Sequence, residues 1–546
     1  MINIGKKCLA ALLAASMVFG VTGCGRQKKT KKPYVQSTAE VKNGTAKAEG
    51  KGKQQSEVPL IIGCGRLDKN FNPFLAQAAS DEQVMNLTQT KLFDTDRAGR
   101  LVEKGIDGEL REYNDENYTY YGIADIKKAR RTKANYTVYR ITIRDDLLFS
   151  DGQPITIDDV IFSLYAFCDN DYDGNVQLKS SNIRGLLNYQ ANNAQAESYT
   201  DKQVKKYIRK KPAVLQKWMQ KHSSDESGYE SALERQARYL MAKQAKKKTR
   251  VNSIEGIKRL NDYELRIYTT GYDSRFEEKL QIPICPLHYY GDTTKYSYNA
   301  NKFGFKRGDL SAIRANKSSP VGAGAYRFVK YDSGIAYFMA NELYYQGCPK
   351  ITYVQLKDLT KLFKDEDLTG AKLAEEMKGQ TVDVASLALT QSDLEAIGEI
   401  NGNGKMSGNE IDTCQSANAS YAYWGLNPYR VCINNEPFSE QSAALRHAIA
   451  MVVSACRGVQ METEGAKLTS VNAQAAKDSW LSPEQPNKDK LCYAETPDGK
   501  EQIYKTDDAV DQKREEAQQT ALKWLEKAGY TVENGRVTAA PALTRH

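Results

Sequence analysis

The sequence predicts an α/β fold in two or more lobes, and three observations carry the prediction. The chain has 546 residues, more than one hydrophobic core usually serves. Tyr139, Ile141 and Ile143 alternate with Arg140 and Thr142, the period-two pattern of a half-buried strand. Val160, Ile161, Leu164, Tyr165 and Cys168 then recur at helical spacing. Strand and helix thus follow one another within a single short segment.

Taken in order, residues 58–63 form a short apolar strand, 82–92 read as a helix and 93–102 as a short hairpin. After the strand at 139, Asp151-Gly152 supplies a turn and Pro154 delays the next helix. Thr156 is a good N-cap, Asp159 is the matching capping-box acid, and Ile155 and Val160 sit where a hydrophobic staple would close. Asp158 and Asp159 also favour the positive end of the helix dipole. Residues 170–250 are rich in Lys, Gln and Ser, with amphipathic runs near 202–220 and 229–246, and read as a surface helical insertion. The basic run KKKTR at 246–250 reads as a solvated helix end. Residues 253–257 and 264–268 form a hairpin across Asn261-Asp262. A strand at 421–427 and helices at 441–454 and 515–530 complete the series.

Charge and hydropathy exclude two classes. A mean hydropathy of −0.62 and 27% charged residues do not describe an integral membrane protein. The formal net charge of +9 is concentrated at one end. Residues 1–24 contribute +2 and residues 25–57 contribute +6, which leaves +1 for the body. A nucleic-acid footprint is not supported.

The N-terminus reads as a targeting segment. Lys6 and Lys7 precede a short apolar run at 8–21, too short for a comfortable membrane span. Val21-Thr22-Gly23-Cys24 follows and resembles a bacterial lipobox, in which Cys24 would be lipidated and hold the protein on the membrane. Residues 25–57 carry almost no large apolar side chain and read as a disordered basic tether. Their basic excess suits an anionic membrane surface, and a solvated linker without a binding role accounts for it equally well. The remaining cysteines, Cys64, Cys168, Cys285, Cys348, Cys414, Cys432, Cys456 and Cys492, form no C-x-x-C pair. Zinc and thioredoxin-like readings therefore fail, and free thiols are preferred to disulfides.

No enzyme motif stands out. There is no G-x-S-x-G, no H-E-x-x-H and no P-loop lysine, and none of His222, His288, His447 and His546 has a visible partner. Residues 399–410 approach a calcium-loop spacing through Glu399, Asn401, Asn403, Gly404 and Glu410. Glu at its first position and only two carboxylates argue against it, so a Gly/Asn-rich turn is the expectation and no metal is assigned. A similar start at Asp169, Asp171 and Asp173 meets Ser180 where a bidentate Glu belongs.

One longer match has a specific source. RDDLLFSDGQPITIDDV at 144–160 resembles the signature of the family 5 solute-binding proteins of ABC importers, the oligopeptide- and nickel-binding group. Asn72-Pro73-Phe74, LQIPICPLHYY at 280–290, PVGAGAY at 320–326 and YAYWGLN at 421–427 follow in the family's order. Ala323 and Ala325 replace the family's usual Thr and Pro. The glycines at 322 and 324 do not cradle phosphate, because Tyr326, Phe328 and Lys330 continue as a strand.

The resemblance implies a type II periplasmic-binding-protein-like fold with mixed sheets. Its first lobe would span 58–420, with the insertion, and its second lobe would begin at 421–546. It covers about residues 58–530 and lacks the family's C-terminal part, so the second lobe is expected to be incomplete. It implies a non-enzymatic, monomeric lipoprotein without cofactor, on the extracytoplasmic face of the cell membrane. Such a protein hands an oligopeptide, or another small solute such as a nickel chelate, to a permease and its ATPase; a truncated product without binding is the alternative. The ligand contacts it implies are Tyr423, Trp424 and Asn427, with Arg446 as a charge partner. The acid that anchors a peptide's amino end in oligopeptide binders falls in the part this sequence lacks.

Overall fold

The computed structural model describes residues 58–113, 116–210, 212–222, 229–362, 369–385, 391–413, 424–456, 493–504 and 508–541. Residues 1–24 with Cys24, expected to be a leader, residues 25–57, expected to be a tether, and Cys414, Tyr423, Cys492 and His546 lie outside them. The strands are β1 (Leu60–Cys64), β2 (Glu109–Tyr113), β3 (Glu116–Tyr120), β4 (Ala124–Arg131), β5 (Tyr136–Ile143), β6 (Ile257–Asn261), β7 (Glu264–Thr270), β8 (Tyr296–Ser297), β9 (Lys302–Phe303), β10 (Tyr326–Asp332), β11 (Ile335–Ala340), β12 (Tyr353–Asp358), β13 (Val384–Ala385), β14 (Thr531–Glu533) and β15 (Arg536–Ala539).

Two sheets carry the body. One is antiparallel, in the order β4-β5-β7-β6. The other is mixed, in the order β10-β11-β12-β1-β13, with β1 parallel to both of its neighbours. The α/β class with mixed sheets is therefore as expected. No helix among the described residues is long and apolar enough to cross a membrane.

The segment at 139–167 is the centre of the main core. Tyr139, Ile141 and Ile143 on β5 are buried while Arg140 faces outward. The helix Ile157–Phe167 follows, and Val160, Ile161, Leu164, Tyr165 and Cys168 are all fully buried. Its capping box forms as predicted: Thr156 Oγ1 accepts the Asp158 N–H, and the Thr156 N–H donates to Asp159 at 2.9 Å. Asp159 also accepts the Leu287 N–H at 3.0 Å, which ties the helix start to the segment at 280–290. Burial pushes its carboxyl up to about 6 despite these donors. Asp158 does more than face the dipole; it accepts from Arg259 at 2.8 Å and from the Tyr296 hydroxyl at 2.7 Å.

Several boundaries move, each for a tertiary reason. The first helix is Ala79–Thr88, not 82–92. It stops because the residues after it pair elsewhere: Leu92 N–H donates to Ile282 and Ile284 N–H to Thr90. The hairpin turn lies where predicted, with Asn261 Oδ1 accepting the Tyr263 N–H. Its first strand, however, is Ile257–Asn261, because residues 253–256 bend and Gly256 bonds to Arg184 and Tyr268 instead. The stretch 170–250 is helical, but not all of it is surface. Leu178, Ile183, Leu186 and Tyr189 join the main core, and the outer layer is the helices Asp201–Arg209, Ala213–Lys221 and Tyr229–Gln244. Residues 246–250 follow the last of these and are largely exposed, as a solvated helix end should be.

Towards the C-terminus, the helices Glu440–Ala455 and Val510–Lys527 pack through Ala444, Ala448 and Met451 against Ala517, Ala521 and Trp524, a core of their own. The strand expected at 421–427 is a correction. Residues 421–423 lie outside the described residues, and 424–427 are not a strand. Asn427 instead turns the chain, its Oδ1 accepting the N–H of Tyr429 and of Arg430.

Candidate functional site

The signature segment is filled with structural contacts. The Asp151 carboxylate lies 2.7 Å from His288 Nε2, which joins the signature turn to the segment at 280–290. The Phe149 ring packs edge-on to the same imidazole at 5.6 Å, and the Ser150 N–H donates to the Gly322 carbonyl. The hydrogen bond to Asp151 raises the His288 pKa against the opposing effect of burial. Burial works to raise Asp151, but the bonds from His288 and the Gln153 N–H overcome it and lower its pKa.

This pair predicts a pH dependence. A raised folded-state His pKa means its stabilisation is complete below the ordinary value near 6.5 and is lost as pH rises through the folded value. Urea midpoints of the protein should therefore fall between about pH 6 and pH 8. Asp151→Asn should flatten that fall, and an unchanged slope would remove the pair from the explanation.

The residues expected to touch ligand are only partly placed. Trp424 is 78% exposed. Arg446 donates to the Val431 carbonyl at 3.0 Å, holding the same turn that Asn427 starts. Both polar residues thus have a structural task. Sequence reasoning missed two aromatics beside them. Tyr429 and Phe438 are exposed and meet edge-on at 5.7 Å, and the Tyr429 hydroxyl donates to Glu230 at 3.3 Å.

Glu230 belongs to a cavity of about 650 Å³ between the helix Tyr229–Gln244 and residues 181–187. Charges of both signs line it: Arg184, Arg235 and Arg238 with Glu197, Glu230, Glu234 and Glu255. Some are already engaged. Glu197 accepts the Gly185 and Leu187 N–H groups at 2.9 Å, and Arg184 pairs with Glu255 at 3.0 Å. Among the described residues Arg235 donates to neutral acceptors: Lys179 O and Gln190 Oε1 at 2.9 Å, and Ser181 O at 3.3 Å. Burial pushes its pKa down. The helix pattern could have shown Glu230, Glu234 and Arg238 sharing one face at i, i+4 spacing. The opposing wall comes from residues 181–187, 255 and 270, which no local pattern links to them.

Residues 399–410 hold the Gly/Asn-rich turn that the sequence led us to expect. Asn401 Oδ1 accepts the Ile411 N–H at 2.9 Å, and its amide donates to Lys405 O and Ile411 O. Asn403 Oδ1 accepts the Lys405 N–H at 2.8 Å. Oxygens that would face an ion hold the turn together instead, and Gly402 and Gly404 supply its positive φ angles. At the second loop, Arg314 pairs with Asp171 and Asp173, while Asp169 accepts the Gly308 N–H. Among the described residues no cluster of three or more His, Cys, Asp or Glu could hold a metal. Cys64, Cys168, Cys285, Cys432 and Cys456 are free thiols. His222 stacks on Trp218 and His447 on Trp524, each at 4.1 Å.

The body is thus a mixed-sheet α/β fold, with a cavity lined by charges of both signs and the exposed Tyr429 bonded to its rim. The chain belongs to the bacterial extracellular solute-binding proteins, family 5, whose model for the middle region matches residues 125–544. No curated protein matches it. Among solved structures it is similar to the oligopeptide-binding protein AppA from Bacillus subtilis in complex with a nonapeptide. That match has 14% identity and a TM-score of 0.47, and covers 89% of this chain and 67% of that one. OppA from Burkholderia pseudomallei matches at 13% identity and a TM-score of 0.43, covering 88% and 67%. NikZ from Campylobacter jejuni in complex with Ni(L-His) matches at 19% identity and a TM-score of 0.34, covering 62% and 45%. The chain thus spans between about half and two thirds of the length of these structures.

Proposed function

We propose that this chain is the solute-capturing component of an ABC importer and that its solute is an oligopeptide. Membership of the family across residues 125–544 carries the reading. The peptide class is supported by the chemistry beside Tyr429. A peptide brings opposite charges at its ends and varied side chains between them, and these suit a two-signed cavity next to exposed aromatic rings. Residues 58–420 act as the first lobe and the part from 421 begins the second. Ligand contacting both lobes shifts an open–closed equilibrium toward closure. Cys24 carries the lipid that keeps the protein, a monomer, on the extracytoplasmic face beside its permease and ATPase.

The test is a thermal-shift and calorimetric screen with mixed peptides, nickel–histidine chelates and calcium. Peptides alone should raise the melting temperature, and Trp424→Ala should weaken their binding by about 2 kcal/mol, roughly thirtyfold. A response to the nickel chelate without one to peptides would replace the peptide reading. Silence across the set would remove solute capture by this chain. Cys24→Ser should make membrane attachment removable by a high-salt wash, without altering peptide affinity.

A further inference from the structure

Strand register brings together a charge pattern that the sequence scatters. On the outer face of the antiparallel sheet, Lys127 of β4 lies opposite Arg140 of β5, and Arg140 opposite Arg266 of β7. Arg266 in turn lies opposite Lys258 of β6. Four cations therefore form one transverse row across four strands. At the usual strand spacing the row is about 14 Å long. The residues facing the other way on these strands, such as Ile126, Ile141 and Leu265, are buried. Lys127, Arg140 and Lys258 are exposed and Arg266 is half-buried.

Like charges directly opposite one another destabilise a sheet, so the row is unfavourable for folding alone. Only Arg140 has a carboxylate partner among the described residues, Glu264. The nearby Asp125 is engaged by the Ile106 N–H at 3.0 Å. Arg131 and Lys133 extend the exposed positive surface beyond the end of β4. Since everything after residue 57 sums to only +1, the row is a local concentration of charge, not a sample of a basic body.

We propose that this sheet face docks on an anionic lipid surface and orients the protein on its membrane. Charge complementarity selects the partner: a sheet face about 14 Å across, on which Lys127, Lys258 and Arg266 have no carboxylate partner among the described residues, matches a plane of phosphate headgroups. The sequence adds a reason for that plane to be near, in Cys24 and the +6 stretch at 25–57. The docking rests on the sheet and not on the identity of the solute.

The test uses the mature chain from residue 24 with Cys24→Ser, so that no lipid masks the effect and the basic stretch is identical in every variant. Co-sedimentation is measured with vesicles of phosphatidylcholine alone and with phosphatidylglycerol added. The parent should bind the anionic vesicles preferentially and lose binding as salt rises. Lys127→Gln/Lys258→Gln/Arg266→Gln should weaken binding about a hundredfold, at about fivefold per cation. The charge-matched Lys202→Gln/Lys205→Gln/Lys206→Gln, on an exposed helix face, should weaken it far less. Equal loss in the two triples would reduce the effect to net charge and overturn the proposal. So would unchanged binding in the first triple, or binding to a soluble polyanion such as polyphosphate but not to vesicles. Melting temperatures of both triples confirm that the comparison is between folded proteins.

Discussion

Tyr165→Ala is expected to destabilise the protein by about 4 kcal/mol, in the range of large-to-small aromatic changes in a core. Tyr165 is fully buried in the last turn of the helix Ile157–Phe167. Its ring stacks on Phe303 at 3.5 Å between centroids and meets Tyr189 edge-on at 5.4 Å. It therefore joins the signature helix, β9 and the first part of the insertion at one point. Its hydroxyl oxygen accepts the Ile254 N–H at 2.9 Å, where the chain returns from the insertion. Tyr165→Phe separates the two effects. It keeps the ring but strands a buried backbone donor, at a cost of about 1–3 kcal/mol. Urea unfolding followed by near-ultraviolet circular dichroism measures both. If alanine cost no more than phenylalanine, the ring contacts would not be what holds the insertion to the core.

Much of this core was legible because its determinants are local. The alternation at 139–143, the Thr156–Asp159 capping box and the spacing from Val160 to Cys168 each lie within a few residues, and the structure repeats them. What failed depends on distant chain. Nothing near Thr88 says that the helix stops there; Ile282 and Ile284 do, by pairing with residues 90–92. The cation row has the same origin, since 127, 140, 258 and 266 meet only through strand pairing. The loop at 399–410 shows why a ligand-like spacing is weak evidence by itself. Calcium-loop spacing specifies which oxygens are available, but not whether backbone N–H groups claim them first, as they do at Asn401 and Asn403. At the candidate site, Trp424 was legible as an aromatic at a recognisable place. The pairing of Tyr429 with Glu230 was not, because the two are 199 residues apart in sequence.

Gly324→Ala should be nearly as damaging as the loss of Tyr165, for the opposite physical reason. A Cβ at Gly324 would lie 2.5 Å from the Thr88 carbonyl carbon and 2.8 Å from the Gln89 nitrogen. At Gly322 it would fall on the Thr88 carbonyl oxygen and the Gln89 side chain. Neither glycine has a positive φ, so the requirement is space and not backbone conformation. The neighbours cannot move apart, because they are bonded to the same segment. Gly324 N–H donates to Thr88 O at 2.9 Å, Thr90 Oγ1 to Ala323 O at 2.7 Å, and Asn341 Nδ2 to Gly324 O at 2.8 Å. The Ser150 N–H, from the signature turn, holds Gly322 O at 2.8 Å. The glycines of PVGAGAY are thus where the end of the first helix, the signature turn and the start of β10 come within backbone contact. Opening that contact should cost about 3 kcal/mol, the upper part of the range for overpacking. Gly379→Ala is the control, since its added Cβ would come no closer than 3.4 Å to any atom and should change stability by less than about 0.5 kcal/mol. A Gly324→Ala protein as stable as the Gly379→Ala protein would mean that the helix end can shift away from the start of β10 at little cost, and the close approach would then not be what holds the two together.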